Sequence, residues 1–255
     1  MRQRITGRHG TIPVPATTNK SKFYAGVAEL VYALALGASS RKGLEVRVLS
    51  PALKHMIKAI LFDTDGVVIK REKYFSQRLS DDFGIPTEKV MAFFRNEFQN
   101  CTIGKADLKK ELPKYFNVWK WEKSTEALLD YWFGSESDVN REIVKIIENL
   151  RGKNIKCYLC TNNEKYRTEY LRDKLKLNKI FDAIFSSSEV GYLKENKNFW
   201  KVIYNNLPKL SKSDILVVDD DQKNIDSAKE FGFSGQLYTD LKSLKSRIEN
   251  ENDKN

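Results

Sequence analysis

Between Met56 and Lys70 the chain reads MIKAILFDTDGVVIK, an apolar run that stops at two carboxylates and a glycine. Ile57, Ala59, Ile60, Leu61 and Phe62 are too few for a helix, and their lack of polar alternation predicts a parallel strand buried on both faces. Residues 71 to about 132 carry helical periodicity and no strand pattern. Helices are expected over 73–83, stopped by Gly84 and Pro86; from an N-cap at Thr87 through Asn96, with Met91, Phe93, Phe94 and Phe98 as its apolar face; over 105–115; and over 124–132. From Ser137 onward helix and strand alternate: helix 139–150, strand 155–160, helix 165–175, strand 183–186, helix 198–206, strand 215–218, a helix through Phe231, strand 235–238 and a closing helix from Leu241. That order predicts an α/β fold, a doubly wound parallel (Rossmann-like) sheet with an inserted all-helical segment. The core is expected to comprise 56–70 and 134–255, and the helical insertion 71–133.

An all-helical block directly after an acidic turn suggests a lid over the strand ends. Its Trp119, Trp121, Trp132 and Phe133 are either substrate contacts or, more commonly for such residues, the block's own core.

The strand ends carry the candidate chemistry. The first is followed by Asp63 and Asp65, the second by Thr161 and Asn162, the third by Lys194, and the fourth by Asp219 and Asp220. Parallel strands present their carboxyl ends along one edge, so these groups should converge. Each has a bland alternative: an Asp-rich turn, a solvated loop around Lys194, Glu195 and Lys197, and an acidic cap of the following helix at Asp219 to Asp221. Several carboxylates with a lysine and a hydroxyl, and no histidine, suit a hard oxygen-seeking cation such as Mg²⁺. Mg²⁺ takes a few carboxylates together with substrate phosphate oxygens, which points to phosphoryl transfer.

Composition narrows the field. The formal charge of +10 suggests a nucleic-acid binder, but residues 1–55 hold nine basic and two acidic residues, leaving only +3 for the rest. No nucleic-acid partner is implied for the body. The apolar run FYAGVAELVYALALGA is too short to span a bilayer and carries Glu29, so no membrane association is expected. The stretch 26–53, GVAELVYALALGASSRKGLEVRVLSPAL, resembles the conceptual translation of a transfer-RNA gene. Val46-Arg47-Val48 can be encoded as GTTCGAGTC, the T-loop hallmark, and residues 26–32 as a D-arm. Residues 1–55 are therefore expected to be a spurious or disordered leader, with Met56 the biological start. Both histidines, His9 and His55, lie there. The body thus has no Ser-His-Asp triad, Cys-His pair or histidine zinc site. Cys157 and Cys160 have CxxC spacing but sit within a strand, where residues three apart face opposite sides. Buried thiols in a reducing cytoplasm are expected.

The ordered set ILFDTDGVV, CYLCTNN, EVGYLKEN and ILVVDDDQKNIDSAKEFGF resembles the four motifs of the haloacid dehalogenase-like (HAD) superfamily, over residues 57 to about 239. The helical insertion stands where that superfamily carries its C1-type cap. The resemblance implies a Mg²⁺-dependent phosphatase acting on a small phosphorylated metabolite. Asp63 matches the nucleophile that becomes an aspartyl phosphate, and Asp65 the general acid and base. Thr161, with Asn162 beside it, matches the residue that binds the transferring phosphoryl group, and Lys194 the lysine that neutralises it. The metal ligands would be Asp63, the backbone carbonyl of Asp65 and Asp220, with Asp219 as a second or water-mediated contact and Asn224 supporting them from behind. Two positions depart from the pattern: Glu195 stands where proline is usual and Asp221 where a small hydroxyl residue is common.

Asp65 separates activities within the superfamily, because dehalogenases attack carbon and lack an acid there. A phosphomutase or phosphotransferase of the same fold, and a non-catalytic binding protein, are the alternatives. Basic residues of the insertion, Arg71, Lys73, Arg78, Arg95 and Lys105, fit many phosphorylated substrates. The sequence leaves the substrate and the oligomeric state open.

Overall fold

The apolar run after Met56 forms the central strand of a five-stranded sheet, because a segment without polar alternation has no face to offer water. The computed structural model describes residues 56–252, so the expectations for residues 1–55 lie outside the described residues. The strands are Ala59–Phe62 (β1), Lys156–Thr161 (β2), Ala183–Ser186 (β3), Ile215–Asp219 (β4) and Ser234–Leu237 (β5), all parallel, in the order β3-β2-β1-β4-β5. Phe62 stands opposite Leu159 and Val218. The backbone N–H of Asp63 continues the ladder to Val218 O at 2.8 Å. The register therefore brings the ends of β1, β2 and β4 to one edge.

Six helices follow β1: Phe75–Phe83 (α1), Thr87–Arg95 (α2), Glu97–Thr102 (α3), Leu108–Glu111 (α4), Phe116–Trp119 (α5) and Thr125–Ser135 (α6). The remaining helices alternate with the strands: Arg141–Gly152 (α7), Lys165–Glu169 (α8), Ser187–Val190 (α9), Lys197–Asn206 (α10), Gln222–Phe231 (α11) and Leu241–Asn252 (α12). The described residues belong to one compact unit.

The period of two along the strands sorts side chains between the two faces. Ile60, Phe62, Cys157 and Leu159 pack with Ile143, Ile147 and Leu150 of α7 and Leu244 of α12. Ala59, Leu61, Tyr158 and Cys160 pack with Phe199, Trp200 and Ile203 of α10 and Ile225 of α11. Cys157 and Cys160 thus lie on opposite faces, as their spacing predicts, and all three cysteines are buried and free. A separate hydrophobic cluster holds the helical block together. Trp119, Trp121, Trp132 and Phe133 are all inside it, with Phe75 stacked on Trp132 at 4.5 Å between ring centroids. These aromatics are the block's core.

Several element boundaries differ from expectation. Pro86, not Thr87, precedes α2, and the Thr87 hydroxyl instead lies 3.1 Å from Ser80 Oγ. The chain breaks at Asn96, so Phe98 belongs to α3 rather than to the face of α2. The expected helix 105–115 starts later, at an N-cap on Asp107, and tightens into a 3₁₀ turn, Leu112–Tyr115, that contains Pro113. Proline supplies no N–H to an α-helical ladder and crowds the preceding turn. The segment 165–175 is α8 followed by a π-helical turn, Tyr170–Lys174. Among the described residues no helix is long and apolar enough to cross a membrane.

Candidate active site

Asp63 follows β1 directly and is 7% exposed. Its Oδ1 accepts from Thr64 N at 2.6 Å and from Lys194 Nζ at 2.5 Å. The chain then turns through Gly66, whose φ of +91° suits a residue without a Cβ. At the end of β4, Asp219 is 1% exposed. Asp219 Oδ2 accepts from Lys194 Nζ at 2.8 Å, while its Oδ1 accepts from Asn224 Nδ2 and Asp221 N, each at 2.9 Å. Lys194, itself 2% exposed, therefore bridges the carboxylates that end two adjacent strands. Burial alone would lower its ammonium pKa, but Asp63 and then Asp219 outweigh that and raise it.

Asp220, the next residue, turns into the cavity, where Arg71 Nη2 donates to its Oδ2 at 2.8 Å. Asp221 also borders the cavity, but its carboxylate is engaged as the N-cap of α11, accepting from Lys223 N at 2.9 Å. The capping alternative thus holds for Asp221 alone of the three acids.

Thr161 ends β2, and its hydroxyl accepts from Asn163 Nδ2 at 2.6 Å. Asn163 Nδ2 also donates to Asp65 Oδ2 at 3.0 Å, tying the second acid of the first motif to the end of β2. Asn162 lines the cavity, but its amide is engaged with the lysine loop, accepting from Lys194 N at 2.9 Å and donating to Glu195 Oε2 at 3.3 Å. Glu195, where proline is usual, thereby anchors the segment that delivers Lys194.

Asp63, Asp65, Thr161, Asn162, Lys194, Asp220 and Asn224 all border one cavity of about 410 Å³, with Arg71 and Tyr74 at the entrance to the helical block. Asp219 stands behind that lining. Of the basic residues expected to meet a substrate, Arg71 borders the cavity, while Lys73 is paired with Asp81 and Arg95 with Glu88.

Burial pushes the Asp63 carboxyl well above the ordinary carboxylate range, Lys194 pulling it down and Asp219 pushing it up. Asp220 is raised for the same first reason, with Arg71 opposing. Carboxylate oxygens of Asp63, Asp219 and Asp220 lie within 4.8 Å of one another. Asn224 Oδ1 beside them is a buried acceptor with no donor among the described residues. Crowded anionic oxygens plus an orphaned acceptor fit a hydrated, hard divalent cation.

Gly66, Asn163 and Arg167 also shape the site, although none was among the expected site residues. Gly66 had a signal, a glycine directly after the acid pair. Asn163 and Arg167 had none, since their partner Asp65 is 98 and 102 positions away.

A family model described as haloacid dehalogenase-like hydrolase matches residues 57–232. Among solved structures the chain is similar to a HAD-like family hydrolase from Porphyromonas gingivalis, at 19% identity over 76% of this chain and 98% of that one, with a TM-score of 0.63. It is also similar to a HAD family enzyme from Bacteroides thetaiotaomicron in complex with magnesium and inorganic phosphate, at 17% identity over 74% and 98%, TM-score 0.62. A third is L-2-haloacid dehalogenase from Xanthobacter autotrophicus with chloropropionic acid covalently bound, at 18% identity over 76% and 82%, TM-score 0.52. At such identities these likenesses speak for the fold.

Proposed function

The chain belongs to the haloacid dehalogenase-like hydrolases, and from that premise we propose that it is a Mg²⁺-dependent phosphatase acting on a small phosphorylated metabolite in the cytoplasm. One observation carries this reading: Asp65, two residues beyond the buried Asp63, borders the same cavity and is held there by Asn163. Attack on carbon with loss of halide requires no proton donor, whereas expulsion of an alkoxide from phosphorus does.

Asp63 would attack phosphorus, forming an aspartyl phosphate as the ester P–O bond breaks and Asp65 gives its proton to the departing alcohol. Asp65, now a carboxylate, would take a proton from the water that attacks the same phosphorus, releasing phosphate and restoring Asp63. Lys194 holds Asp63 in place and offsets its charge, and Thr161 and Asn162 border the space the phosphoryl group would occupy. Asp63, the main-chain carbonyl of Asp65 and Asp220, with Asp219 behind, would hold Mg²⁺, which when bound supplies the positive charge that crowded acids and a phosphate need. Residues 71–133 would serve as the cap that selects the substrate, over a core of 56–70 and 134–255. The placement in a reducing cytoplasm rests on the three unpaired thiols.

The test is phosphate release from 4-nitrophenyl phosphate by the full chain with Mg²⁺, with EDTA, and by Asp63→Asn with Mg²⁺. Release that needs the metal and is lost in the variant is expected. A folded wild type that binds Mg²⁺ yet releases nothing from this ester or from a panel of phosphorylated metabolites overturns the reading in favour of a phosphomutase or a binding protein.

A further inference from the structure

Arg167 lies on α8 and is only 3% exposed, an expensive position for a guanidinium unless its charge is matched. Among the described residues the one carboxylate within ion-pair distance is Asp65, whose Oδ1 lies 3.4 Å from Arg167 Nη2. The rest of the fork is held by the main chain. Nη1 donates to Phe133 O at 3.2 Å, and Nη2 also donates to Glu136 O. Those carbonyls belong to the end of α6 and the connection back to the sheet. That connection is fixed in turn by the Glu136 carboxylate, which accepts from Phe75 N and from Trp132 Nε1, each at 3.0 Å.

Asn163 immediately precedes the N-cap of α8 and Arg167 lies in its first turn, so one short segment carries both. Glu164 between them caps the helix by accepting from Tyr166 N and Arg167 N. Asp65 is therefore held at both carboxyl oxygens by two donors from that segment, Asn163 on Oδ2 and Arg167 on Oδ1. Its side chain stays 27% exposed toward the cavity.

Resting on the phosphatase reading above, we propose that Arg167 is a positioning residue that fixes the orientation of Asp65 for proton transfer, using the carbonyls of Phe133 and Glu136 as its anchor. Without the clamp Asp65 rotates away from the leaving oxygen, and its proton reaches the alkoxide less often. Attack by Asp63 is unaffected.

Leaving-group dependence separates this role from a structural one. Nitrophenolate departs without a proton, ethoxide does not, and kcat/KM reports only the steps through loss of the leaving group. Arg167→Met should lower kcat/KM for ethyl phosphate by about 100-fold while that for 4-nitrophenyl phosphate stays within about threefold. With the nitrophenyl ester it should also show a burst of nitrophenol and a slow steady state, because the aspartyl phosphate still awaits a proton acceptor for water. Equal losses on both esters, or no loss on either, overturn the proposal. If Arg167→Met does not fold, Arg167→Lys keeps the charge and stem but cannot reach both carbonyls and Asp65 at once. It should show a smaller loss with the same ester selectivity, and an equal loss on both esters again overturns the clamp. A wild type inert toward both esters fails earlier, on the phosphatase reading itself, and takes the clamp with it.

Discussion

The space where a side chain on Gly66 would begin is occupied by Asp220: a Cβ there would lie 2.1 Å from Asp220 Oδ2. The glycine after the first acid pair is thus required by a carboxylate 154 positions later, as well as by its own positive φ. Gly66→Ala must displace Asp220 or strain the turn, the latter costing on the order of 1–3 kcal/mol. We expect the variant to melt at lower temperature and to bind Mg²⁺ at least about tenfold more weakly by titration calorimetry, a change equivalent to about 1.4 kcal/mol. Unchanged affinity would remove Asp220 from the cation site.

Arg71 shares Asp220 with whatever cation binds there, and the two side chains are about a quarter exposed. Such a partly exposed pair contributes at most about 1 kcal/mol to stability. Arg71→Ala should therefore cost little in a metal-free melt while tightening Mg²⁺ binding several-fold, because a competing positive charge is gone. Weaker binding would mean that the guanidinium instead holds Asp220 in position for the metal.

Lys194 compensates two buried acids, so Lys194→Met leaves Asp63 and Asp219 facing each other without a cation. In EDTA the expected loss is about 3–5 kcal/mol by urea unfolding. The deficit should shrink as pH falls from 8 to 5. Burial holds the folded-state pKa of Asp63 above its unfolded one, and the penalty of ionising it disappears once it is protonated. A deficit constant across that range would refute the pairing.

Glu164 is buried at the start of α8, and burial pushes its carboxyl up to about 7, against the backbone N–H groups of Tyr166 and Arg167 that favour ionisation. Its folded pKa lies above the unfolded one, so its contribution is fully present below about 4.5 and is lost as pH rises through 7. Glu164→Gln should therefore gain on the wild type between pH 4.5 and 7.5, by up to roughly 3 kcal/mol, and then level off. Thermal melts of both proteins across that range measure the difference. A constant difference would place the titration elsewhere.

The sheet was legible because four of its strands, β1 to β4, are short, largely apolar runs between turn signals that end in polar residues with no place in a core. Their order along the chain was enough to assemble Asp63, Thr161, Lys194 and Asp220 at one edge. The helical block was legible in kind but not in its joints, since its apolar periodicity runs across the breaks at Asn96 and Pro113. Asn163 and Arg167 were out of reach for a different reason. A polar residue after a strand and an arginine in a charged helix look like solvated surface until the fold buries them against Asp65.

The three consecutive acids after β4 mark the division between the two kinds of information. The sequence by itself determined that a strand ends there, that a helix follows, and that three carboxylates fall between. Chemically identical neighbours carry no sign of which way each will point. Only the tertiary structure sent Asp219 inward to Lys194, Asp220 into the cavity toward Arg71, and Asp221 onto the first turn of α11. The physical reason is that a strand alternates its side chains while a helix start demands a cap, so the junction between them assigns each carboxylate its partner.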